Sequence, residues 1–208
     1  MKSENGICYI IGAGDFGDGE IKKKSGDYLI AGDGGFRYCL ERGLKADLVV
    51  GDFDSLGYRP DHPNVISLKA EKDETDMAIA VEEGIRRGYK QFVLFGGTGG
   101  RISHTMANIQ MMNELAGRGI RCVLMGTGCQ FRVIRDGEFR FGSEAAGYVS
   151  VFSLSERSEG VCEEGLKYCL DHVILRSEVP LGVSNEFIGA AGKISVDKGS
   201  LLIITEDK

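Results

Sequence analysis

The spacing of apolar residues changes character once along this chain, near residue 127, and that change constrains the fold more than any other feature. Before it, short apolar runs at 7–11, 28–31, 47–50 and 91–95 alternate with helical patterns at 36–42, 74–87 and 105–118, and one more run follows at 121–125. In the middle pattern Met77, Val81 and Ile85 recur every four residues, while Glu82, Glu83, Arg86 and Arg87 take the opposite side. That is the period of a helix with one buried face. Asp73 and Asp76 have the spacing of a capping box, with Asp in place of Glu, and Gly88 suits the C-terminal end. Strands alternating with helices imply a mostly parallel sheet covered on both faces.

After Gly126-Thr127-Gly128 the helical patterns stop. The segments 131–134 and 138–141 flank Asp136-Gly137, which reads as a tight hairpin because such turns need positive φ. Further strands are expected at 148–154, 173–176, 193–196 and 201–205, with a turn at Asp197-Lys198-Gly199. The expected fold class is therefore α/β plus all-β, with an N-terminal mostly parallel α/β sheet domain over 1–127 and a smaller all-β domain over 128–208.

Charge and cysteine usage narrow the function. A net charge of -6 argues against a nucleic-acid scaffold, and an acidic protein that binds a nucleotide needs a cation in between. The six cysteines never form a CxxC pair, so no zinc motif is legible. No secretory signal opens the chain and no apolar run approaches the roughly 20 residues that span a bilayer. A cytoplasmic protein with reduced cysteines is the expectation.

Several loops carry acids or glycines at the ends of expected strands. Gly12-Ala13-Gly14-Asp15-Phe16-Gly17 matches GxGxxG, and Asp33 could serve as the acid of a dinucleotide fingerprint. The residues after it, Asp18-Gly19-Glu20 and three lysines, lack the apolar period of the helix that fingerprint requires. Gly51-Asp52-Phe53-Asp54-Ser55 follows the third strand, and in an extended segment Asp52 and Asp54 share a face, where two carboxylates call for a cation. Lys72-Asp73-Glu74-Thr75-Asp76 opens a helix, a place where acids also serve as plain caps. Asp33-Gly34-Gly35 supplies a third acid at a strand end. Magnesium takes hard oxygen ligands of this kind and bridges nucleotide phosphates. In Gly96-Gly97-Thr98-Gly99-Gly100-Arg101, four glycines let backbone amides approach phosphate and Arg101 can clamp its charge. The GxxxxGK[ST] pattern of P-loop ATPases is absent. His104 either caps the following helix, packs, or touches substrate.

Taken in order, GDFDS, KDETD, GGTGGRISH and GVSNEF resemble the thiamine pyrophosphokinase family along nearly the whole chain. The resemblance implies pyrophosphate transfer from ATP to thiamine, a Mg2+ cofactor, and a C-terminal β-sandwich. It further implies a homodimer whose active site is shared between one subunit's α/β domain and the other's sandwich. Carried over by motif, Asp52, Asp54 and Asp73 hold the metal and, with Arg101, form the catalytic set. Asp33, Thr75, Asp76, Gly97, Gly99, Gly100 and Arg101 face ATP. Ser103, His104, Ser184 and Asn185 reach thiamine. The family usually reads GGRxDH, and here the aspartate position is Ser103, which supplies no charge. A different acceptor alcohol, such as a pterin, and a non-catalytic thiamine or nucleotide sensor are the alternatives.

Overall fold

A computed structural model describes residues 6–54, 56–69 and 74–208, as a mixed sheet assembly with three helices. The chain divides into two compact units, Met1–Met111 with Gly119–Thr127, and Met112–Arg118 with Gly128–Lys208.

The first unit carries β1 (Cys8–Ile11), β2 (Tyr28–Gly32), α1 (Gly35–Glu41), β3 (Leu48–Gly51), β4 (Val65–Ser67), α2 (Asp76–Arg86), β5 (Gln91–Phe95), the start of α3 (Ile102–Gly117) and β6 (Arg121–Gly126). All its strand pairs are parallel, in the order β6-β5-β1-β2-β3-β4. Parallel strands buried on both faces read as continuous apolar runs, and every residue of β1 and β3 is buried. One face packs Tyr9, Ile11, Leu29 and Phe95 with Phe36 and Cys39 of α1. The other receives α2, whose Gly84 lies so close to Phe92 and Cys8 that a β-carbon there would fall 2.6 Å from the Phe92 ring. Helices therefore cover both faces.

Two helix ends differ from expectation. Thr75, not Asp73, is the N-cap of α2: its hydroxyl accepts a hydrogen bond from Ala78 N at 3.2 Å, which makes Asp76 the first helical residue. Asp73 lies outside the described residues. Arg87 is the C-cap, and Gly88 follows it at φ 90, where a glycine costs least. Helix α3 begins at Ile102 rather than 105, so Ser103 and His104 sit in its first turn. The short strand β4 carried no sequence signal beyond three residues.

The second unit comprises β7 (Cys129–Phe141), β8 (Tyr148–Ser153), β9 (Arg157–Glu164), β10 (Leu170–Arg176), β11 (Gly182–Glu186) and β12 (Gly192–Glu206), all paired antiparallel. The expected hairpin at Asp136-Gly137 and turn at Asp197-Lys198-Gly199 are both absent. They face each other as one irregularity in a long ribbon: β7 and β12 run through these points, and the register shifts between Val196 and Ser200. Asp136 takes φ 45 there, and its carboxylate accepts from Gly199 N at 2.7 Å. The turn residues do supply positive φ, at Asp136 and Gly199, but at a bulge rather than at hairpin turns. Beyond this break β12 exchanges β9 for β8 as its second neighbour. The core is built from Val149, Val151, Val161, Leu175, Ile194 and Ile203 with their neighbours.

Candidate active site

In the first unit β1 is flanked by β2 and β5, and the strand order reverses between β1 and β5. Open parallel sheets bind ligands at such a reversal, beyond the carboxyl ends of the strands. A cavity of about 600 Å³ lies there, lined by the loops after β1, β2 and β5 and by the N-terminal turns of α2 and α3. Its lining includes Asp33, Thr75, Asp76, Gly97, Gly100, Arg101 and His104 of the expected residues.

Glycine shapes this floor. The loops after β1 and β5 are laced by Gly12 N to Phe95 O, Gly14 N to Gly96 O and Asp15 N to Thr98 O, each at 2.8 Å. Gly96 has φ 66, and a β-carbon there would strike the Gly12 carbonyl. The GxGxxG match is thus explained by close backbone approach. No helix follows it through residue 27, so the dinucleotide fingerprint is not formed.

Three carboxylates converge. Oxygen atoms of Asp33, Asp52 and Asp76 lie within 4.8 Å of one another. They arrive from the end of β2, the end of β3 and the first residue of α2. Asp33 is 8 % exposed and held at φ 44. Phe53, buried in the core beside Asp52, has φ 63, which is rare for a bulky residue. Two strained non-glycine residues at one site are the kind of feature that surrounding structure maintains for function. The positive φ at Phe53 also removes the extended alternation on which the pairing of Asp52 with Asp54 relied. Asp54 is exposed, its amide donating to Asp52 Oδ1 at 3.2 Å, and lies outside the convergent group.

Around the carboxylates the electrostatics turn positive. The N-termini of α2 and α3 both border the cavity, and each carries the partial positive charge of a helix start. Arg101, at the head of α3, adds a full charge, and His104 N donates to its carbonyl at 2.9 Å. Along α3, Arg101, His104, Thr105 and Asn108 all line the cavity. Their spacing of three, four and seven marks a single polar helix face, legible in the sequence as a period, which adds Thr105 and Asn108 to the expected Arg101 and His104. Asn108 is 5 % exposed and donates to Gly97 O at 2.8 Å, fixing the glycine loop. Gly99 and Ser103 are exposed and do not line the cavity.

The residues expected to reach thiamine from the second unit split in role. Ser184 is exposed at φ 61. Asn185 is 4 % exposed, and its amide is committed internally. Its Nδ2 donates to Glu163 Oε2 at 2.7 Å and Tyr168 O at 2.6 Å, and its Oδ1 accepts from Tyr168 N and Glu186 N, both at 2.9 Å. Such a side chain ties β11 to Glu163 and to the backbone of Tyr168. Burial raises the pKa of Glu163, outweighing the opposite pull of the Asn185 hydrogen bond.

Comparison with known proteins agrees with this geometry. Residues 22–124 match the thiamin pyrophosphokinase catalytic domain and residues 138–201 the thiamin pyrophosphokinase vitamin B1 binding domain. The chain is 29% identical to thiamine pyrophosphokinase of Bacillus subtilis (strain 168) over 179 residues, 83% of this chain and 84% of that protein. It superposes on the crystal structure of thiamin pyrophosphokinase from Geobacillus thermodenitrificans with TM-score 0.82 at 27% identity, covering 97% of this chain and 98% of that one. For a thiamin pyrophosphokinase family protein from Enterococcus faecalis the TM-score is 0.83 at 28% identity, covering 97% and 99%. With both halves matched in order, and the fold shared end to end, the chain belongs to the thiamine pyrophosphokinase family.

Proposed function

We propose that this chain transfers the pyrophosphoryl group of ATP to the hydroxyl of thiamine at the cavity beyond β1, β2 and β5. The observation that carries the site is the convergence of Asp33, Asp52 and Asp76 beside two helix N-termini and a glycine loop. Those carboxylates are the hard oxygen donors that magnesium prefers, so the three fit a Mg2+ ion, with Asp54 left to outer contacts. When bound, that ion supplies neutralisation of the phosphate charge. Arg101 and the amides of the 96–100 loop hold the phosphates, and Thr75 and Asn108 keep α2 and the loop in place. The hydroxyl oxygen of thiamine bonds to the β-phosphorus, the bond from that phosphorus to the α,β-bridging oxygen breaks, and AMP leaves. The hydroxyl proton passes to a carboxylate of the cavity. Such transfer needs positioning and electrostatics rather than a nucleophilic side chain.

Residues 1–127 form the nucleotide- and metal-binding catalytic domain in this reading, and 128–208 a β-sandwich that binds thiamine and dimerises. The change of partner along β12 is the kind of corner from which sandwiches are built. Ser184 meets thiamine, Asn185 supports it from below, and Ser103 and His104 approach it from α3. The dimer places one protomer's second unit against the first unit of its partner. Tyr148, Tyr168, Val183 and Ile188 are exposed apolar side chains around the Ser184 loop and suit that role. The compartment is the cytoplasm. Among the described residues no helix is long and apolar enough to cross a membrane.

The test is AMP formation from ATP and Mg2+ with and without thiamine. Thiamine-dependent AMP, abolished by a chelator, is the expected result; ADP formation, or AMP formed equally without thiamine, would refute the proposal. Mixing inactive Asp33→Asn and Ser184→Tyr variants tests the shared site, because only a site built across two chains regains activity in the mixture.

A further inference from the structure

On the second unit, strands β9 and β10 pair with one fault. Leu170 faces Glu163 and Val173 faces Val161, so Asp171 and His172 together oppose the single residue Cys162. Two residues against one define a β-bulge, a device that re-aims side chains. In a regular strand, neighbours such as Asp171 and His172 point to opposite faces. Here His172 takes φ 49, and ligand atoms of Asp171, His172 and Cys162 come within 4.8 Å of one another.

The geometry points to a binding site for a thiophilic divalent ion of the zinc class, formed by Cys162 Sγ, His172 Nδ1 and Asp171 Oδ1. The sulfur lies 3.6 Å from His172 Nδ1. A tetrahedral zinc ion, with sulfur at about 2.3 Å and imidazole nitrogen at about 2.05 Å, sets those two ligand atoms about 3.5 Å apart. The sulfur also accepts the backbone N–H of His172 at 3.3 Å, which fixes its position beside the ring. Asp171 Oδ1 now accepts from Nδ1 at 2.6 Å, and its side chain is 93% exposed. It is therefore free to swing by the fraction of an ångström that would place a metal between the two atoms. Asp197 and Glu164 act electrostatically on the same ring, so the local field favours a cation. The open side of the site faces solvent, where water completes the coordination. Soft and imidazole donors distinguish this site from the all-oxygen group of the first unit. No CxxC-type spacing announces it, because the bulge rather than the sequence interval joins Cys162 to His172.

The experiment is a Co2+ titration of the full-length protein in excess Mg2+, followed by absorbance. We expect one equivalent of Co2+ to produce a sulfur-to-metal charge-transfer band in the near ultraviolet, bleached by one equivalent of Zn2+. The band is lost in Cys162→Ser and retained in Cys169→Ser. It is lost too in His172→Asn, a substitution that tolerates positive φ and changes an exposed side chain, so the fold is kept. Asp171→Asn removes one of the three protein ligands and lowers Co2+ affinity at least about 10-fold, the sulfur band persisting once Co2+ saturates. A wild-type protein without the band, or a band that survives His172→Asn, would overturn the site.

Discussion

Replacing Gly96 by alanine isolates the physical basis of the cavity floor. Gly96 sits at φ 66, in the left-handed region, where a β-carbon costs about 1–2 kcal/mol. The new methyl would also strike the Gly12 carbonyl, and the loops after β1 and β5 must separate to admit it. Two 2.8 Å hydrogen bonds, Gly12 N to Phe95 O and Gly14 N to Gly96 O, hold those loops together. Each contributes about 0.5–1.5 kcal/mol net. Together these effects destabilise the first unit by about 2–5 kcal/mol. Gly100 is the internal control: it has no positive φ, and a β-carbon there meets nothing within 4 Å. Gly100→Ala should stay within about 0.5 kcal/mol of wild type, as surface substitutions usually do. The assay is urea denaturation followed by a first-unit signal, with ATP affinity measured on the same samples. Gly96→Ala should also weaken ATP, since its loop lines the cavity. Equal stability of the two variants, or a Gly96→Ala protein within 0.5 kcal/mol of wild type, would refute this reasoning.

Mg2+ at a hundred times its dissociation constant should stabilise the protein by about 2.7 kcal/mol, and Asp33→Asn should abolish that gain while Asp54→Asn retains most of it. Thermal melts with and without Mg2+ decide the matter, and equal effects of the two substitutions would count against the three-carboxylate site. Ser103→Asp restores the acid usual in the family on an exposed turn, and by the worth of an exposed charge pair it should lower the KM for cationic thiamine by up to about fivefold. An unchanged KM would remove Ser103 from the thiamine contacts. Glu163 has its pKa raised by burial, so its contribution to stability is present below the ordinary carboxylate pKa and is lost as pH rises through the raised value. The stability of Glu163→Gln relative to wild type should therefore increase from acid to neutral pH in urea titrations; a constant difference would show that folding leaves the Glu163 pKa unshifted.

Legibility in the sequence followed the locality of the signal. Strands β1, β2, β3, β5 and β6 were apparent as apolar runs because parallel strands buried on both faces need no partner residue to declare themselves. The reversal between β1 and β5, which locates the cavity, is a property of strand order and has no local signal. Asp33 and Asp52 were found as acids at strand ends, yet their grouping with Asp76 depends on positive φ at Asp33 and Phe53, which sequence does not display for residues other than glycine. Asp136-Gly137 and Asp197-Lys198-Gly199 carry real turn chemistry, but only pairing across 63 residues reveals that each supports the other in one ribbon. The expectation that Asn185 reaches thiamine rests on motif position alone. Its burial and its bonds to Glu163 and Tyr168 have no signal in the motif.

The site itself is tested most directly by a crystal structure with Mn2+ and α,β-methylene ATP, whose α–β linkage cannot be cleaved. We expect the anomalous peak of the ion between the carboxylates of Asp33, Asp52 and Asp76, with the phosphates along the 96–101 loop. An ion bound at Asp54 without those three, or phosphates lying away from that loop, would contradict the assignment.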